Sequence, residues 1–126
     1  MSKTAVNNAH APLAAGPYSQ AIIANGFVFV SGQVGFLPGT KTFVEGGVPA
    51  QTRQMIENIK AILEAAGSSL DNVVKSTVFL TDINDFAAMN EVYATFFTSN
   101  HPARSTVQVA ALPLGALIEM EVVALA

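Results

Sequence analysis

The alternation of apolar and polar positions divides the chain into strand-like and helix-like segments. Two apolar, β-prone runs, Tyr18 to Ala24 and Phe27 to Val30, flank Asn25-Gly26. That dipeptide is typical of a type I′ turn, because both central residues of the turn need positive φ, so we predict a β-hairpin. The glycines of Ser31 to Gly35 indicate a bulge or a backbone that approaches a ligand closely, and a short strand is predicted at Thr42 to Val44.

From Pro49 the apolar positions follow a helical period. They fall on one face of a predicted helix: Met55, Ile56, Ile59, Ile62, Leu63 and Ala66. Pro49 near the first turn and Gly67 past the last turn are typical of the start and end of a helix. A second helix is predicted after Asp82, which can cap it. Its buried face is expected to contain Phe86, Met89, Tyr93 and Phe96 or Phe97.

Three further β-rich segments complete the pattern: Val73 to Thr81, Ser105 to Ala111 and Leu117 to Leu125, the last two joined by a turn at Leu112 to Gly115. The order β-β-(β)-α-β-α-β-β predicts one α+β domain over residues 1–126. Two helices can cover only one face of a mixed sheet of about six strands. Because the other face also carries apolar residues, we expect the chain to associate with copies of itself.

Composition supports self-association and argues against several classes of function. Charged residues make up 12% of the chain, about half of the roughly 25% usual for soluble domains. The net charge is −3 and the six basic residues are scattered, so no basic stripe for nucleic acid is visible. No apolar run approaches the ~20 residues of a membrane span.

The chain contains no cysteine, which excludes disulfides, thiolate metal ligands and thiol catalysis and fits a reducing compartment. Residues 1–15 lack the apolar core of a secretory signal and the arginines of a transit peptide. We therefore expect a cytoplasmic protein.

Candidate chemistry centres on Arg104, the only basic residue after Lys75. An arginine is most often a structural partner of a carboxylate, but its planar guanidinium also binds a carboxylate ligand in bidentate fashion. Glu119 and Glu121 fall on one face of the last strand, where a solvated edge is the commonest reason for two glutamates. We expect Arg104 and Glu119 on neighbouring strands, one holding a small anion and the other activating water.

Four other residues have side chains that a ligand site could use. Asn90 on the second helix needs a hydrogen-bond partner if it is buried, and an intramolecular backbone contact is as plausible as a ligand contact. Tyr18 is more often a core or interface aromatic than part of a ligand site. His10 and His101 have no metal-ligand or triad spacing, and the glycines lack the setting of a nucleotide-binding loop. No metal and no cofactor are expected.

Several longer stretches resemble the reactive intermediate deaminase (RidA) family. They occur in the family's order and spacing from Ala11 onward: Gly16-Pro17-Tyr18-Ser19-Gln20-Ala21, Ser31-Gly32-Gln33, Asn58 with Leu63-Glu64-Ala65-Ala66-Gly67, Val74-Lys75-Ser76-Thr77-Val78, Asp82-Ile83-Asn84-Asp85-Phe86, Pro102-Ala103-Arg104-Ser105, Val109-Ala110-Ala111-Leu112-Pro113 and Ile118-Glu119-Met120-Glu121. The resemblance implies a chorismate-mutase-like α+β fold and a homotrimer with clefts between subunits. It also implies hydrolysis of 2-imino acids or their enamine tautomers, such as 2-iminobutanoate and 2-iminopropanoate, to 2-oxo acids and ammonia. This reaction protects pyridoxal-phosphate enzymes and needs no cofactor.

The resemblance also assigns the two central roles of the reaction. The family's carboxylate-binding arginine falls on Arg104, and its water-orienting glutamate falls on Glu119. Members often carry cysteine where this chain has Thr106. The backbone carbonyl at that position, which helps hold the water, is retained, whereas a thiol-based role is lost.

The remaining substrate-binding positions follow from the same resemblance. The aromatic wall of the family's site falls on Tyr18, and its serine-glycine backbone contact falls on Ser31 and Gly32. Its helix asparagine falls on Asn90. Other functions remain open: a non-catalytic sensor of 2-oxo acids or a holdase, and, with less support, a ribonuclease or translation inhibitor. A chorismate mutase would need several cations for its dianionic substrate, and Arg104 stands nearly alone.

Overall fold

The computed structural model describes residues 2–126. The strands are β1 (Thr4–Val6), β2 (Ala21–Ala24), β3 (Phe27–Gln33), β4 (Val73–Leu80), β5 (Ala103–Gln108) and β6 (Ile118–Leu125), and the helices are α1 (Gly47–Ala65) and α2 (Phe86–Phe96). They form one six-stranded sheet in the order β1-β2-β3-β6-β4-β5. The β4–β5 pair is parallel and the other pairs are antiparallel. The predicted α+β class with a mixed six-stranded sheet is therefore confirmed.

Both helices cover the same face of the sheet, where the apolar core lies. Five of the six residues of the predicted helical face are fully buried in it: Met55, Ile56, Ile59, Ile62 and Leu63. Burying each such side chain contributes about 1.5–3 kcal/mol. The sixth, Ala66, is half-buried just past the end of α1. Helix α2 is fixed to β4 by a buried 2.8 Å hydrogen bond between the hydroxyl groups of Ser76 and Tyr93.

The β2–β3 hairpin has the predicted turn, with φ of 52° at Asn25 and 82° at Gly26. The bulge expected from the glycines that follow is also present. The pairing of β3 with β6 shifts register between Val30 and Gln33. This irregularity separates Ser31 and Gly32 from the regular ladder, which allows them to face a cleft.

Several predicted boundaries were wrong. Strand β1 was not predicted, because a three-residue strand at a sheet edge leaves almost no periodic signal. Helix α1, by contrast, begins at Gly47, which confirms the predicted place of Pro49 in the first turn, where its missing N–H needs no hydrogen bond. The strand predicted at Thr42 to Val44 is a single bridge between Phe36 and Phe43.

The region around α2 and β5 also differs from the prediction. Asp82 caps a short 3₁₀ turn at Ile83–Asp85, accepting a 2.9 Å hydrogen bond from the Asn84 N–H, and α2 begins only at Phe86. Phe86 is 37% exposed rather than buried, because it starts the helix above the edge strand β5. That strand spans Ala103–Gln108 instead of Ser105 to Ala111, and β2 begins at Ala21 rather than Tyr18.

The second face of the sheet carries no helix and is partly apolar. Its exposed large side chains are Phe27, Phe29, Val74, Val107 and Leu125. The rings of Phe27 and Phe29 lie 6.2 Å apart. The sequence-based expectation of a second apolar sheet face is therefore met. Within residues 2–126, no helix is long and apolar enough to cross a membrane.

Candidate functional site

The predicted site residues other than Thr106 line two clefts on opposite faces of the sheet. The first cleft, between α2 and the start of β5, has a volume of about 440 Å³. Its lining residues are Asn90, Tyr93, Ala94, Phe97, His101, Pro102 and Arg104. We call it the arginine cleft. Asn90 and Arg104, which were predicted separately, are brought together here.

Aromatic rings hold the Arg104 guanidinium in place. Its central carbon lies 4.7 Å from the Tyr93 ring centroid and 5.5 Å from that of Phe86. Tyr93 is itself fixed, since it stacks on Phe97 at 4.5 Å and its hydroxyl hydrogen-bonds to Ser76. A guanidinium whose face lies against a ring keeps its in-plane N–H donors for a bidentate ligand. The geometry suits capture of a small carboxylate.

The second cleft lies on the open face of the sheet and has a volume of about 430 Å³. Its lining residues are Tyr18, Ser31, Gly32, Pro113, Glu119 and Glu121. We call it the glutamate cleft. A smaller recess of about 80 Å³ adjoins it and is walled mainly by apolar side chains, among them Leu13, Val34, Phe36 and Leu114.

Glu119 is half-buried in this cleft, whereas Glu121 on the same strand face is exposed. Burial raises the pKa of the Glu119 carboxyl above its ordinary value, and repulsion from Glu121 raises it further. A raised pKa makes a carboxylate a stronger base, which suits a group that accepts a proton from water.

Gly32 and Glu119 are in direct contact. A Cβ atom at position 32 would lie 2.6 Å from Glu119 Oε1 and 2.9 Å from its Cδ. The backbone of Gly32 is not left-handed, unlike that of Gly26, so conformational freedom is not the reason for this glycine. The missing side chain provides the space that the Glu119 carboxylate occupies.

Hydrogen bonds fix the other wall of the glutamate cleft. The Ser31 hydroxyl donates to the Ser19 carbonyl at 2.6 Å, and the Ser31 N–H donates to the Gln20 carbonyl at 2.9 Å. Tyr18 is 49% exposed, and its hydroxyl accepts a 3.1 Å hydrogen bond from the Ala15 N–H. Tyr18 therefore presents an exposed but oriented ring beside Glu119.

The prediction that Arg104 and Glu119 lie on neighbouring strands was wrong. Strand β5 forms the edge of the sheet and pairs in parallel with β4, so β4 lies between β5 and β6. Ser76 pairs with Arg104 on one side and Val122 on the other. Paired residues of neighbouring strands point to the same face of the sheet, so Arg104 and Val122 share one face. Glu119 is three residues from Val122 in the same strand and therefore points to the opposite face.

Thr106 lies on the same sheet face as Arg104. It is half-buried and sits two residues further along β5, opposite Val78. It is placed beside the arginine cleft rather than among the residues that line it. Within the described residues 2–126, no cluster of three or more histidine, cysteine, aspartate or glutamate side chains could hold a metal ion.

Sequence reasoning missed three features of these clefts. The Phe86 and Tyr93 rings that hold Arg104 were predicted only as core residues. The contact between Gly32 and Glu119 joins residues 87 positions apart, for which one sequence contains no signal. The buried amides of Gln51 and Asn58, which bind loops near Glu119, could have been noticed as polar residues seven positions apart on one side of α1.

Comparison with known proteins gives a consistent result over nearly the whole chain. A family model described as endoribonuclease L-PSP matches residues 8–126. A human protein named 2-iminobutanoate/2-iminopropanoate deaminase is 49% identical over 120 residues, covering 95% of this chain and 88% of the human protein.

Two solved structures show the same likeness in three dimensions. RidA from an Antarctic Psychrobacter superposes with a TM-score of 0.94 at 48% identity, covering 98% of this chain and 99% of that one. Escherichia coli TdcF, solved with bound serine, superposes with a TM-score of 0.92 at 43% identity and covers 98% of both chains. At these identities the likeness covers both the fold and the sequence over nearly the whole chain.

Proposed function

The chain belongs to the RidA family, and from this premise we propose that it is an enzyme that hydrolyses 2-imino acids to 2-oxo acids and ammonia. Its substrates include 2-iminobutanoate and 2-iminopropanoate, or their enamine tautomers. The observation that carries this proposal is the 49% identity, over 95% of the chain, to a human protein named as the deaminase of these two compounds. The two clefts supply the groups that such a reaction needs.

The proposed active site requires more than one copy of the chain. Arg104 and Glu119 face opposite sides of one sheet, so they cannot act on one small substrate within a single subunit. The open apolar face around Phe29 and Leu125 supports association. We propose a homotrimer in which the arginine cleft of one subunit meets the glutamate cleft of its neighbour.

Arg104 binds the substrate carboxylate in this proposal. The guanidinium donates two parallel hydrogen bonds from its edge, and the rings of Tyr93 and Phe86 keep it from rotating. Asn90 lines the same cleft and provides a further polar contact. TdcF was solved with serine, a small molecule that also has a carboxylate and a nitrogen on C2. Fixing C2 in this way turns attack by water into a reaction between positioned partners.

Glu119 orients the attacking water and accepts its proton. The Thr106 carbonyl of the neighbouring subunit provides a second acceptor for that water. The imine reacts as its protonated iminium cation: the water oxygen bonds to C2, Glu119 takes one water proton and the C=N electron pair moves to nitrogen, which gives a 2-amino-2-hydroxy acid. Glu119 then passes the proton to the nitrogen, and the C2–N bond breaks. The hydroxyl becomes the new carbonyl, and ammonia takes up the proton that it releases.

The remaining cleft residues shape the space around C2. The Tyr18 ring closes a wall over a small side chain, while Ser31 and Gly32 present backbone to the substrate beside Glu119. The reaction involves only proton transfer and addition of water, so no metal or organic cofactor takes part in the proposal.

We place this activity in the cytoplasm, where a chain without cysteine is suited to the reducing conditions. Imines and enamines released by pyridoxal-phosphate enzymes are reactive toward other such enzymes. Hydrolysing them before they react protects those enzymes in this proposal.

The direct test generates 2-iminobutanoate in situ from threonine with a dehydratase and adds semicarbazide as a competing trap. We expect this protein to increase formation of 2-oxobutanoate at the expense of the semicarbazide adduct, in proportion to its concentration. An unchanged partition would contradict the proposal and favour a non-catalytic binder of 2-oxo acids, which titration with 2-oxobutanoate would reveal.

A ribonuclease remains the alternative because the matching family model is described as an endoribonuclease. The net charge of −3 with scattered basic residues gives RNA little to bind, since phosphate contacts dominate such affinity. Cleavage of single-stranded RNA at a rate that depends on Arg104 and falls with added salt would favour this alternative.

The shared site makes a quantitative prediction for mixtures of two inactive variants. Arg104→Ala and Glu119→Gln subunits are co-refolded in equal amounts. Three quarters of randomly formed trimers contain both variants, and each of these has one intact site in three, so about a quarter of wild-type activity is expected to return. Sedimentation should show trimers for each variant alone and for the mixture. A monomer at micromolar concentration, or a trimeric mixture without activity, would rule out the shared site.

A further inference from the structure

Helix α1 carries two buried amide side chains whose hydrogen bonds leave the helix. Gln51 is 7% exposed and Asn58 is 1% exposed. Seven residues span about two helical turns, so both side chains lie on the same side of α1. Buried amides need partners, and these two find theirs in the segments that border the glutamate cleft.

Gln51 anchors the start of the strand that carries Glu119. Its Oε1 accepts a 3.1 Å hydrogen bond from the Leu117 N–H. The Leu117 carbonyl accepts a 3.2 Å hydrogen bond from the Thr81 N–H at the end of β4. Both backbone groups of Leu117 are therefore held, and Glu119 follows only two residues later in the strand.

The glutamate cleft has two walls: the start of β6, which carries Glu119, and the segment from Gly32 to Gly35. The backbone of Gln51 contacts the second wall. A Cβ atom at Gly35 would lie 2.8 Å from Gln51 Cα and 2.9 Å from its carbonyl oxygen. The segment that contains Gly35 therefore rests directly on α1 at this residue. Because Gly32 in the same segment touches the Glu119 carboxylate, a shift of this wall would be transmitted to that carboxylate.

Asn58 secures the same wall two turns further along the helix. Its Nδ2 donates to the carbonyl oxygens of Val34 and Phe36, at 3.2 and 2.9 Å. Its Oδ1 accepts from Gln54 Nε2 at 2.9 Å. These bonds hold the backbone on both sides of Gly35 against α1. Gln51 is thus the one residue of this pair that contacts both walls.

We propose that Gln51 is a positioning residue for Glu119, fixing the distance between the strand that carries the carboxylate and the Gly32 segment that confines it. The inference rests on the proposed function, because it assigns Gln51 a role in the hydrolysis of the imine. A displacement of about 1 Å at a reacting group can reduce a rate about 10²-fold, so a lost anchor two residues from Glu119 has a measurable effect.

The test compares Gln51→Leu, which removes the acceptor at similar size, with Gln51→Glu, which keeps an oxygen for the Leu117 N–H. We expect Gln51→Leu to reduce kcat for 2-iminobutanoate about tenfold or more, while KM changes less than about threefold, because Arg104 on the opposite sheet face binds the carboxylate. Gln51→Glu should recover part of the lost kcat.

Thr52→Val provides the matched control. Thr52 is fully buried beside Gln51, and its hydroxyl donates at 2.7 Å to the Val48 carbonyl of the same helix. The substitution removes a buried hydrogen bond that joins two residues of α1 and no segment of the cleft. We expect a reduced Tm with wild-type kcat. A kcat that falls in proportion to Tm in both Thr52→Val and Gln51→Leu would overturn the positioning role.

Hydrogen exchange at the Leu117 amide reports the anchor without any activity measurement. We expect faster exchange in Gln51→Leu and wild-type protection in Thr52→Val. Unchanged protection in Gln51→Leu, or lost protection with wild-type kcat, overturns the inference. A wild-type protein that does not accelerate imine hydrolysis overturns the proposed function first, before any variant is compared.

Discussion

Glu119→Gln is expected to lower the rate of 2-iminobutanoate hydrolysis by roughly 10²–10⁴-fold, the usual contribution of a general base. Glutamine keeps the size of the side chain and fits the space beside Gly32, so the fold and the cleft should survive. It cannot accept the proton of the attacking water. The measurement is the initial rate in the dehydratase-coupled assay, together with the affinity for 2-oxobutanoate, which should change little because Arg104 still binds the carboxylate.

Glu121→Gln is the matched control, with the same substitution on the same strand face. Residues two apart in a strand are separated by about 6.6 Å, so both carboxylates cannot hold one water in the same way. We expect a rate close to wild type. Because repulsion from Glu121 helps to raise the pKa of Glu119, its removal should lower that pKa and move the acid limb of the pH–rate profile to lower pH. Severe loss in Glu121→Gln with normal rates in Glu119→Gln would assign the base to Glu121 instead.

Arg104→Lys is expected to weaken binding of the substrate carboxylate and to reduce kcat/KM by roughly 10²-fold, although the positive charge is retained. An ammonium group is a point charge without the planar fork that pairs with both carboxylate oxygens, and it does not stack on Tyr93 and Phe86 in the same way. Titration with 2-oxobutanoate should show the corresponding loss of affinity. The Tm should change by only a few degrees, since Arg104 lies at a cleft rather than in the core.

The control for this variant is Arg53→Lys, the same substitution at an exposed position of α1. Its kinetics and affinity should match those of the wild type. If a folded Arg104→Lys protein keeps normal kcat/KM, the arginine cleft does not bind the substrate carboxylate, and the proposed orientation of the substrate would have to be replaced.

Much of the fold could be predicted because its signals are local. The helical period of α1, the Asn25-Gly26 turn and the alternation in β6 each involve neighbours a few residues apart. The boundaries around α2 were harder, since Asp82 is a good cap and the sequence does not distinguish a 3₁₀ turn from the start of a helix. Strand β1 depends on pairing with β2 and has almost no pattern of its own.

The candidate site was predictable only in part, for a related reason. Arg104 and Glu119 were identified by residue type and by resemblance, but their relative position depends on the strand order. A parallel β5 at the edge of the sheet places β4 between them, and no local pattern reports which strand lies in the middle. The hydrogen bonds of Gln51 were also missed: its spacing from Asn58 could have drawn attention to it, but the sequence does not say which segment an amide on a helix will bind.

Gly32 has a consequence for how this surface tolerates change. A glycine is usually attributed to backbone geometry, yet the backbone of Gly32 is not left-handed and would accept any residue. The constraint comes from excluded volume, because even a methyl group would lie 2.6 Å from the Glu119 carboxylate oxygen and overlap it. A protein with a larger residue here can therefore fold correctly while its Glu119 carboxylate is displaced. In the proposed mechanism that displacement moves the base away from the water, so the absence of a side chain at residue 32 is itself a requirement of the reaction.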